Sequence, residues 1–161
     1  MELQPIGVIR TPHKTLEQMP IQPIGATGVP GRIELDPDLA DGLCDLAGFS
    51  HIIVLYHFHR AGKPALTVIP FLDNKPRGVF ATRAPSRPNP IGLSILKLNS
   101  LQGAVLNVEN VDILDGTPLL DIKPYAPVFV HQPEPIRSGW LERSGDAVKV
   151  ARSDQRFIKK S

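Results

Sequence analysis

Seventeen prolines and thirteen glycines are spread along the whole of this 161-residue chain, and no other feature narrows its fold so far. Proline fixes φ, removes a backbone donor and breaks helix interiors. Glycine supplies the conformations that tight turns require. Punctuation this frequent predicts many turns between short strands and disfavours a helical bundle.

The apolar segments between these breaks agree. Leu3 to Arg10 reads as a first strand, ended by Thr11-Pro12. Residues 13 to 31 hold Pro20, Pro23, Gly25, Gly28 and Pro30-Gly31 and read as a long, partly ordered loop of the kind that is often functional. Arg32 to Leu35 is a short strand, and Asp36-Pro37 opens a short helix running to about Leu43, with Asp36 as its N-cap. His51 to His59 is apolar on both faces and reads as a central strand. Leu66–Pro70, Gly78–Arg83, Ile91–Leu98, Ala104–Ile113 and Leu119–Ile122 follow as further strands. Seven or eight short strands without intervening long helices predict a mainly β protein, a small antiparallel β-barrel with short helices. Residues 1–137 form the barrel domain in this reading and 138–161 a C-terminal extension, anchored by Ser138-Gly-Trp-Leu, with a mobile, basic end from Arg152.

Hydrophobic residues make up 42% of the chain and charged ones 21%, as in ordinary globular domains. The single cysteine, Cys44, excludes an intrachain disulfide and a thiol metal cluster. The N-terminus has no basic region followed by a long apolar run, and no window approaches a membrane span, so a cytoplasmic protein is expected.

The net charge of +2 says less than its distribution. Between Asp73 and Glu109 there is no acidic residue, while Lys75, Arg77, Arg83, Arg87 and Lys97 all fall there. Within this stretch Gly78-Val-Phe-Ala-Thr-Arg-Ala-Pro-Ser-Arg-Pro-Asn-Pro-Ile-Gly92 is stiffened by Pro85, Pro88 and Pro90. Such a loop holds Arg83, Arg87 and Asn89 ready for an anionic or polar partner, such as a phosphate or a carboxylate.

Familiar nucleotide signatures are absent. Gly25-Ala-Thr-Gly-Val-Pro-Gly31 lacks G-x-G-x-x-G spacing, and no G-x-x-x-x-G-K-[ST] occurs. His57 and His59 lie two apart on one strand face, but no third ligand has telling spacing, so they and His51 read as pocket-lining residues and no metal is expected. Asp112-Ile-Leu-Asp-Gly-Thr-Pro118 carries the turn signal Asp115-Gly116, which serves either a plain hairpin or a ligand held by Asp115 and Thr117. Asp121-Ile-Lys-Pro-Tyr125 sets acid, base and phenol within five residues; Tyr125 is either a core residue or a stacking surface.

Together, Pro5-Ile-Gly-Val-Ile-Arg-Thr-Pro12, Phe49-Ser-His51, Phe58-His59, Gly78-Val-Phe-Ala-Thr-Arg83, Arg87-Pro-Asn-Pro-Ile-Gly92 and Asp115-Gly-Thr-Pro…Asp-Ile-Lys-Pro-Tyr125 resemble the TsaA-like (TrmO or YaeB) family of S-adenosylmethionine-dependent tRNA methyltransferases. The resemblance spans about residues 3 to 127, in order and in spacing. It implies a β-barrel methyltransferase, a homodimer with S-adenosyl-L-methionine near the subunit interface, and methylation at N6 of threonylcarbamoyl-adenosine beside the anticodon. It places cofactor contacts on Pro20, Ile21 and Gln22, on His59 and Arg60, on Arg83, at Ile95, and on Asp115, Gly116, Thr117 and Pro118. Two departures stand out. Bacterial members carry a further C-terminal domain, so tRNA contacts are expected here from the barrel or the basic tail. The family pattern also leads one to expect an acidic residue where Val130 stands. Two other functions compete with the leading one: methyl transfer to an acceptor other than tRNA, and S-adenosylmethionine binding without turnover.

Methyl transfer from a sulfonium is an in-line displacement that depends on positioning. The cofactor carboxylate calls for Arg83 or Arg87. The acceptor nitrogen is a weak nucleophile, for which His59, Asp121 and Tyr125 are candidate catalytic groups. Lys75, Arg77, Arg152, Arg156, Lys159 and Lys160 are candidate contacts to the phosphates of the anticodon loop.

Overall fold

The computed structural model of the chain describes residues 2–130 and 135–158, and among these residues it has eight strands with only short helical turns between and after them. They are β1 (Gly7–Arg10), β2 (Pro30–Leu35), β3 (His51–His57), β4 (Thr67–Val68), β5 (Arg77–Gly78), β6 (Ile91–Gln102), β7 (Val105–Glu109) and β8 (Thr117–Pro124). Six of them close an antiparallel barrel in the order β1-β2-β7-β6-β3-β8, and β8 returns to pair with β1 through Gly7↔Leu119 and Ile9↔Thr117. β4 and β5 form a separate two-stranded ladder. The expected class is therefore present, with six barrel strands in place of seven or eight.

The barrel forms because its strands alternate with period two. Ile52, Val54 and Tyr56 of β3, Leu96 and Leu98 of β6, Leu106 and Val108 of β7, Ile33 and Leu35 of β2, Ile9 and Leu119 all point inward and are buried. Each such side chain contributes about 1.5–3 kcal/mol by leaving water. Leu43 and Leu46, from short 3₁₀ turns at Pro37–Leu43 and Leu46–Gly48, join the same core. The first turn starts as expected: Asp36 accepts from the Asp38 amide, with proline next. It is 3₁₀, not α-helical. β3 is central as expected, paired with β6 on one side and β8 on the other.

Two departures from the expected strands bear on the site. β3 stops at His57, so His59 lies beyond the strand and not on its face. Gly78–Arg83 is not a strand: after Gly78 the chain makes a 3₁₀ turn at Val79–Ala81. A register shift between β3 and β8 also matters. Tyr56 faces Leu119 but Leu55 faces Asp121, so β8 carries one extra residue there. Simple alternation from buried Leu119 would aim Asp121 into the core. The bulge turns it to the outer face instead.

A second, smaller core lies outside the barrel, where Val68, Val79, Ala84 and Phe157 are buried with Ala65 and Phe71 packed against them. Phe157 meets Phe71 edge-to-face, with ring centroids 5.2 Å apart. Residues 152–158 are thus docked, whereas the composition led to the expectation of a mobile end. Ser153 N donates to Met19 O (2.8 Å), and isolated bridges join Pro20 to Arg152 and Ala61 to Ile158. Lys159, Lys160, residues 131–134 and the Val130 side chain lie outside the described residues.

Candidate active site

The arginine loop is held from several directions. Thr82 Oγ1 accepts from Ala84 N (3.2 Å) and donates to Val79 O (2.9 Å). Ser86, itself buried, accepts at its carbonyl from Ala65 N (3.1 Å), and Pro90 O accepts from Phe58 N (2.8 Å). The last bond joins the loop to the exit of β3, where His59 and Arg60 follow.

Arg87 is consumed by this framework. Its Nη1 donates to Thr82 O (2.8 Å) and Val79 O (3.0 Å), so it fastens the loop to itself. Arg83 is exposed, and Nη1 donates to Gln22 Oε1 (2.8 Å). That bond brings together two segments expected to hold the same ligand. The rest of the Arg83 guanidinium has no partner among the described residues, which leaves a donor fork suited to a carboxylate.

Beneath this surface runs a buried polar chain that sequence reasoning missed. Ser94 Oγ stands 2.7 Å from Asp112 Oδ1 and 3.1 Å from the Tyr56 hydroxyl. A serine has one proton to give. Donated to the carboxylate, it leaves Ser94 to accept from Tyr56, so the three groups are ordered in one direction. Burial pushes the Asp112 carboxyl up to about 6, against the Ser94 hydrogen bond and the positive charge of Arg83, which favour ionisation. Burial also raises the Tyr56 phenol, and the Asp112 charge adds to the rise. The ring of Tyr56 has room because Gly92 faces it across β3 and β6. A Cβ at residue 92 would come within 2.8 Å of Tyr56 Cδ2 and nearer still to two other ring atoms. One signal was available: Ser94 is the one polar residue among the buried inward positions of β6, which are Gly92, Ser94, Leu96 and Leu98.

The Asp115–Pro118 turn is pinned against the end of β1. Asp115 accepts from Thr11 N (2.9 Å) and pairs with Lys14 (2.8 Å), and these donors hold its carboxyl below the usual range. Gly116 takes φ +75°, a conformation that favours glycine, and its N–H donates to Ile9 O (2.9 Å). Thr117 Oγ1 donates to Leu114 O (2.7 Å). The Asp115 and Thr117 side chains thus serve the turn, and the Asp115 and Gly116 amides are spent on His13 O (2.8 Å) and Ile9 O.

The three candidate catalytic groups do not cluster within one chain. Tyr125 N donates to His51 O (3.1 Å), and its ring stands edge-on to His51 at the start of β3. His59 lies past the opposite end, about 20 Å away at the rise of an extended strand. Asp121 sits between them on the outer face, paired with Lys123 (2.7 Å). Only His59 adjoins the arginine loop, and partial burial lowers its imidazole below the ordinary value. Among the described residues no group of three histidine, cysteine, aspartate or glutamate side chains is arranged to hold a metal.

The positive field expected around this loop is partly neutralised. Arg77 pairs with Asp73 (2.6 Å) and Lys97 with Glu109 (3.0 Å). In the tail, Arg156 is paired with Asp154 and lies over Phe71, and Arg152 donates to Lys149 O and Ala151 O. A pocket of about 210 Å³ between Gly42–Leu46, Phe49, Ile122 and Pro124 contains no basic residue and offers nothing to an anion.

Ile95 stands on the barrel's outer face, where β3 and β6 place Ile53 opposite Ile95, Leu55 opposite Leu93 and His57 opposite Ile91. Leu93 is 44% exposed and Ile91 37%, and Asp121 flanks the patch beside Leu55.

A closed six-stranded barrel, with an exposed arginine bridged to a neighbouring loop and no dinucleotide glycines, defines a small all-β ligand-binding domain outside the doubly wound class. Residues 8–130 match the tRNA-methyltransferase O N-terminal domain, and the chain belongs to that family. It is 49% identical to a probable S-adenosyl-L-methionine-binding protein of Pyrococcus abyssi, over 96% of this chain and 84% of the relative. It is 34% identical to the tRNA (adenine(37)-N6)-methyltransferase of Escherichia coli, over 93% of this chain and 67% of the relative. A crystal structure of TrmO from Pseudomonas aeruginosa superposes with a TM-score of 0.72 at 36% identity, over 87% of this chain. The chain spans 62% of the length of that structure.

Proposed function

We propose that this chain transfers a methyl group from S-adenosyl-L-methionine to tRNA, at N6 of threonylcarbamoyl-adenosine beside the anticodon. The observation that carries the cofactor assignment is Arg83, exposed, bridged to Gln22 and otherwise without a partner among the described residues. The names of the relatives support both cofactor and acceptor. When bound, S-adenosylmethionine supplies an electrophilic methyl group on a sulfonium.

The chain's own residues bind and orient. The Arg83 fork takes the carboxylate. Pro20, Ile21 and Gln22, Asp115, Gly116, Thr117 and Pro118, His59 and Arg60, and Ile95 complete the cofactor contacts. His59, whose imidazole partial burial holds below its ordinary value, is the base best placed beside the arginine loop to accept a proton from the acceptor nitrogen. Asp121 and Tyr125 lie farther along the barrel and serve the acceptor side.

The outer apolar pairs of β3 and β6 support a homodimer, and the presence of Ile95 among them fits a cofactor near the interface. The barrel unit of residues 1–137 carries the chemistry and the extension, through its residues 138–158, braces it, in a protein of the cytoplasm. No described helix is long and apolar enough to cross a membrane. Incubation with methyl-labelled cofactor and either unmodified or threonylcarbamoylated tRNA tests the assignment. Label is expected only in the modified tRNA. Label in neither, from folded and cofactor-bound protein, would overturn it in favour of another acceptor or of binding without turnover.

A further inference from the structure

Two aromatic rings, Phe80 within the arginine loop and Trp140 beside it, have no part in the site above. Phe80 is 75% exposed, although the residue before it, Val79, is 1% exposed in the second core. Val79 N donates to Leu66 O (2.9 Å) and Thr82 N to Val79 O (3.1 Å), so Phe80 cannot turn inward without unseating Val79. The Arg87 guanidinium, fixed by the loop carbonyls, lies 5.8 Å from the Phe80 ring centroid. Trp140, from the C-terminal extension, reaches the same turn. Its Nε1 donates to Ala81 O (2.8 Å), and Arg77 lies 5.5 Å from its centroid.

Beside Trp140 is a pocket of about 140 Å³ lined by Leu72, Asp73, Lys75, Arg77, Arg143 and Ser144. Asp73 is occupied by Arg77 and by the amides of Asn74 and Lys75. Lys75 and Arg143 have no anionic partner among the described residues. The surface therefore presents two rings, each backed by a guanidinium, next to two unneutralised cations.

We infer that Phe80 and Trp140 are stacking platforms for unpaired bases of an RNA strand, whose phosphates are met by Lys75 and Arg143. This rests on the tRNA reading for its substrate class. Single-stranded RNA is recognised by aromatic and guanidinium planes alternating with phosphate contacts. A protein partner or lipid surface calls for continuous apolar area, which the charges here interrupt. Arg83 follows Phe80 by three residues, so a strand docked on these rings passes directly beside the proposed cofactor site.

Trp140 is the chain's only tryptophan, so its fluorescence reports the site directly. The full chain is titrated with an anticodon stem-loop hairpin and with a blunt RNA duplex of equal length, and binding is followed by Trp140 quenching and by anisotropy of labelled RNA. The hairpin is expected to quench Trp140 and to bind more tightly than the duplex. Phe80→Ala is expected to weaken hairpin binding by at least about fivefold and Phe80→Tyr to restore it, with S-adenosylmethionine affinity unchanged by calorimetry. Hairpin binding unaffected by Phe80→Ala, or equal affinity for the duplex, overturns the stacking site while leaving RNA as substrate. A parallel loss of cofactor affinity assigns Phe80 to the cofactor pocket instead. Failure of the wild-type chain to bind any RNA overturns this inference and the tRNA reading together.

Discussion

Arg83 and Arg87 lie four residues apart and are put to different uses. Arg83→Ala is expected to lower S-adenosylmethionine affinity at least about tenfold with little change in stability, as read by calorimetry and denaturant unfolding. Arg87→Ala should instead destabilise the fold by about 1.5–3 kcal/mol, because charge-assisted bonds to Val79 O and Thr82 O are lost. Equal effects of the two variants on cofactor affinity would refute this division. His59 bears on pH dependence. Because its imidazole is depressed, the neutral base persists below the usual histidine range. The acid limb of the methyl-transfer rate should therefore fall below pH ~6.5, and His59→Gln should abolish that limb. Asp112 acts in the opposite sense on stability. Its folded value, about 6, lies above that of an unfolded aspartate, so the folded state binds the extra proton in this window. Stability from this group is full below pH ~4 and is lost as pH rises towards 6, a change of about 2–3 kcal/mol. Unfolding free energies of wild type and Asp112→Asn from denaturant titrations, compared between pH 4 and 7, should diverge by this amount; parallel curves would show that Asp112 titrates normally.

At the scale of elements, the loop is only as stiff as the small core beneath it. Phe157→Ala opens a cavity under Val79 and Ala84 and is expected to cost about 3 kcal/mol. It should also weaken cofactor binding through a residue that touches no ligand. Unchanged affinity in a destabilised Phe157→Ala protein would separate the loop from its support. Much of this architecture was legible in the sequence. The proline-stiffened loop, the Asp115-Gly116 turn and the central strand after His51 all stand where local chemistry puts them. The bulge that turns Asp121 outward was not, because alternation carries no mark of one extra residue until the partner's register is known. The Tyr56–Ser94–Asp112 chain was equally hidden: its members come from β3, β6 and the segment after β7, and only closure of the barrel makes them neighbours. Arg152 and Arg156 looked like phosphate ligands because composition reports charge but not the carbonyls and Asp154 that occupy it.

At the scale of the molecule, the outer apolar pairs predict the assembly. Leu93→Glu places a carboxylate beside Ile53, Leu55 and Ile95 on an exposed face and should convert a dimer to a monomer in sedimentation while the barrel stays folded. A wild-type monomer at all accessible concentrations would rule out that interface. Closure through β1 and β8 has a further consequence for how the protein matures. All six barrel strands are present once residue 124 has left the ribosome, whereas the seat of the arginine loop waits for Phe157. A nascent chain therefore owns its scaffold before it owns its binding site, and a chain arrested between those points would fold without acquiring a rigid grip on its cofactor.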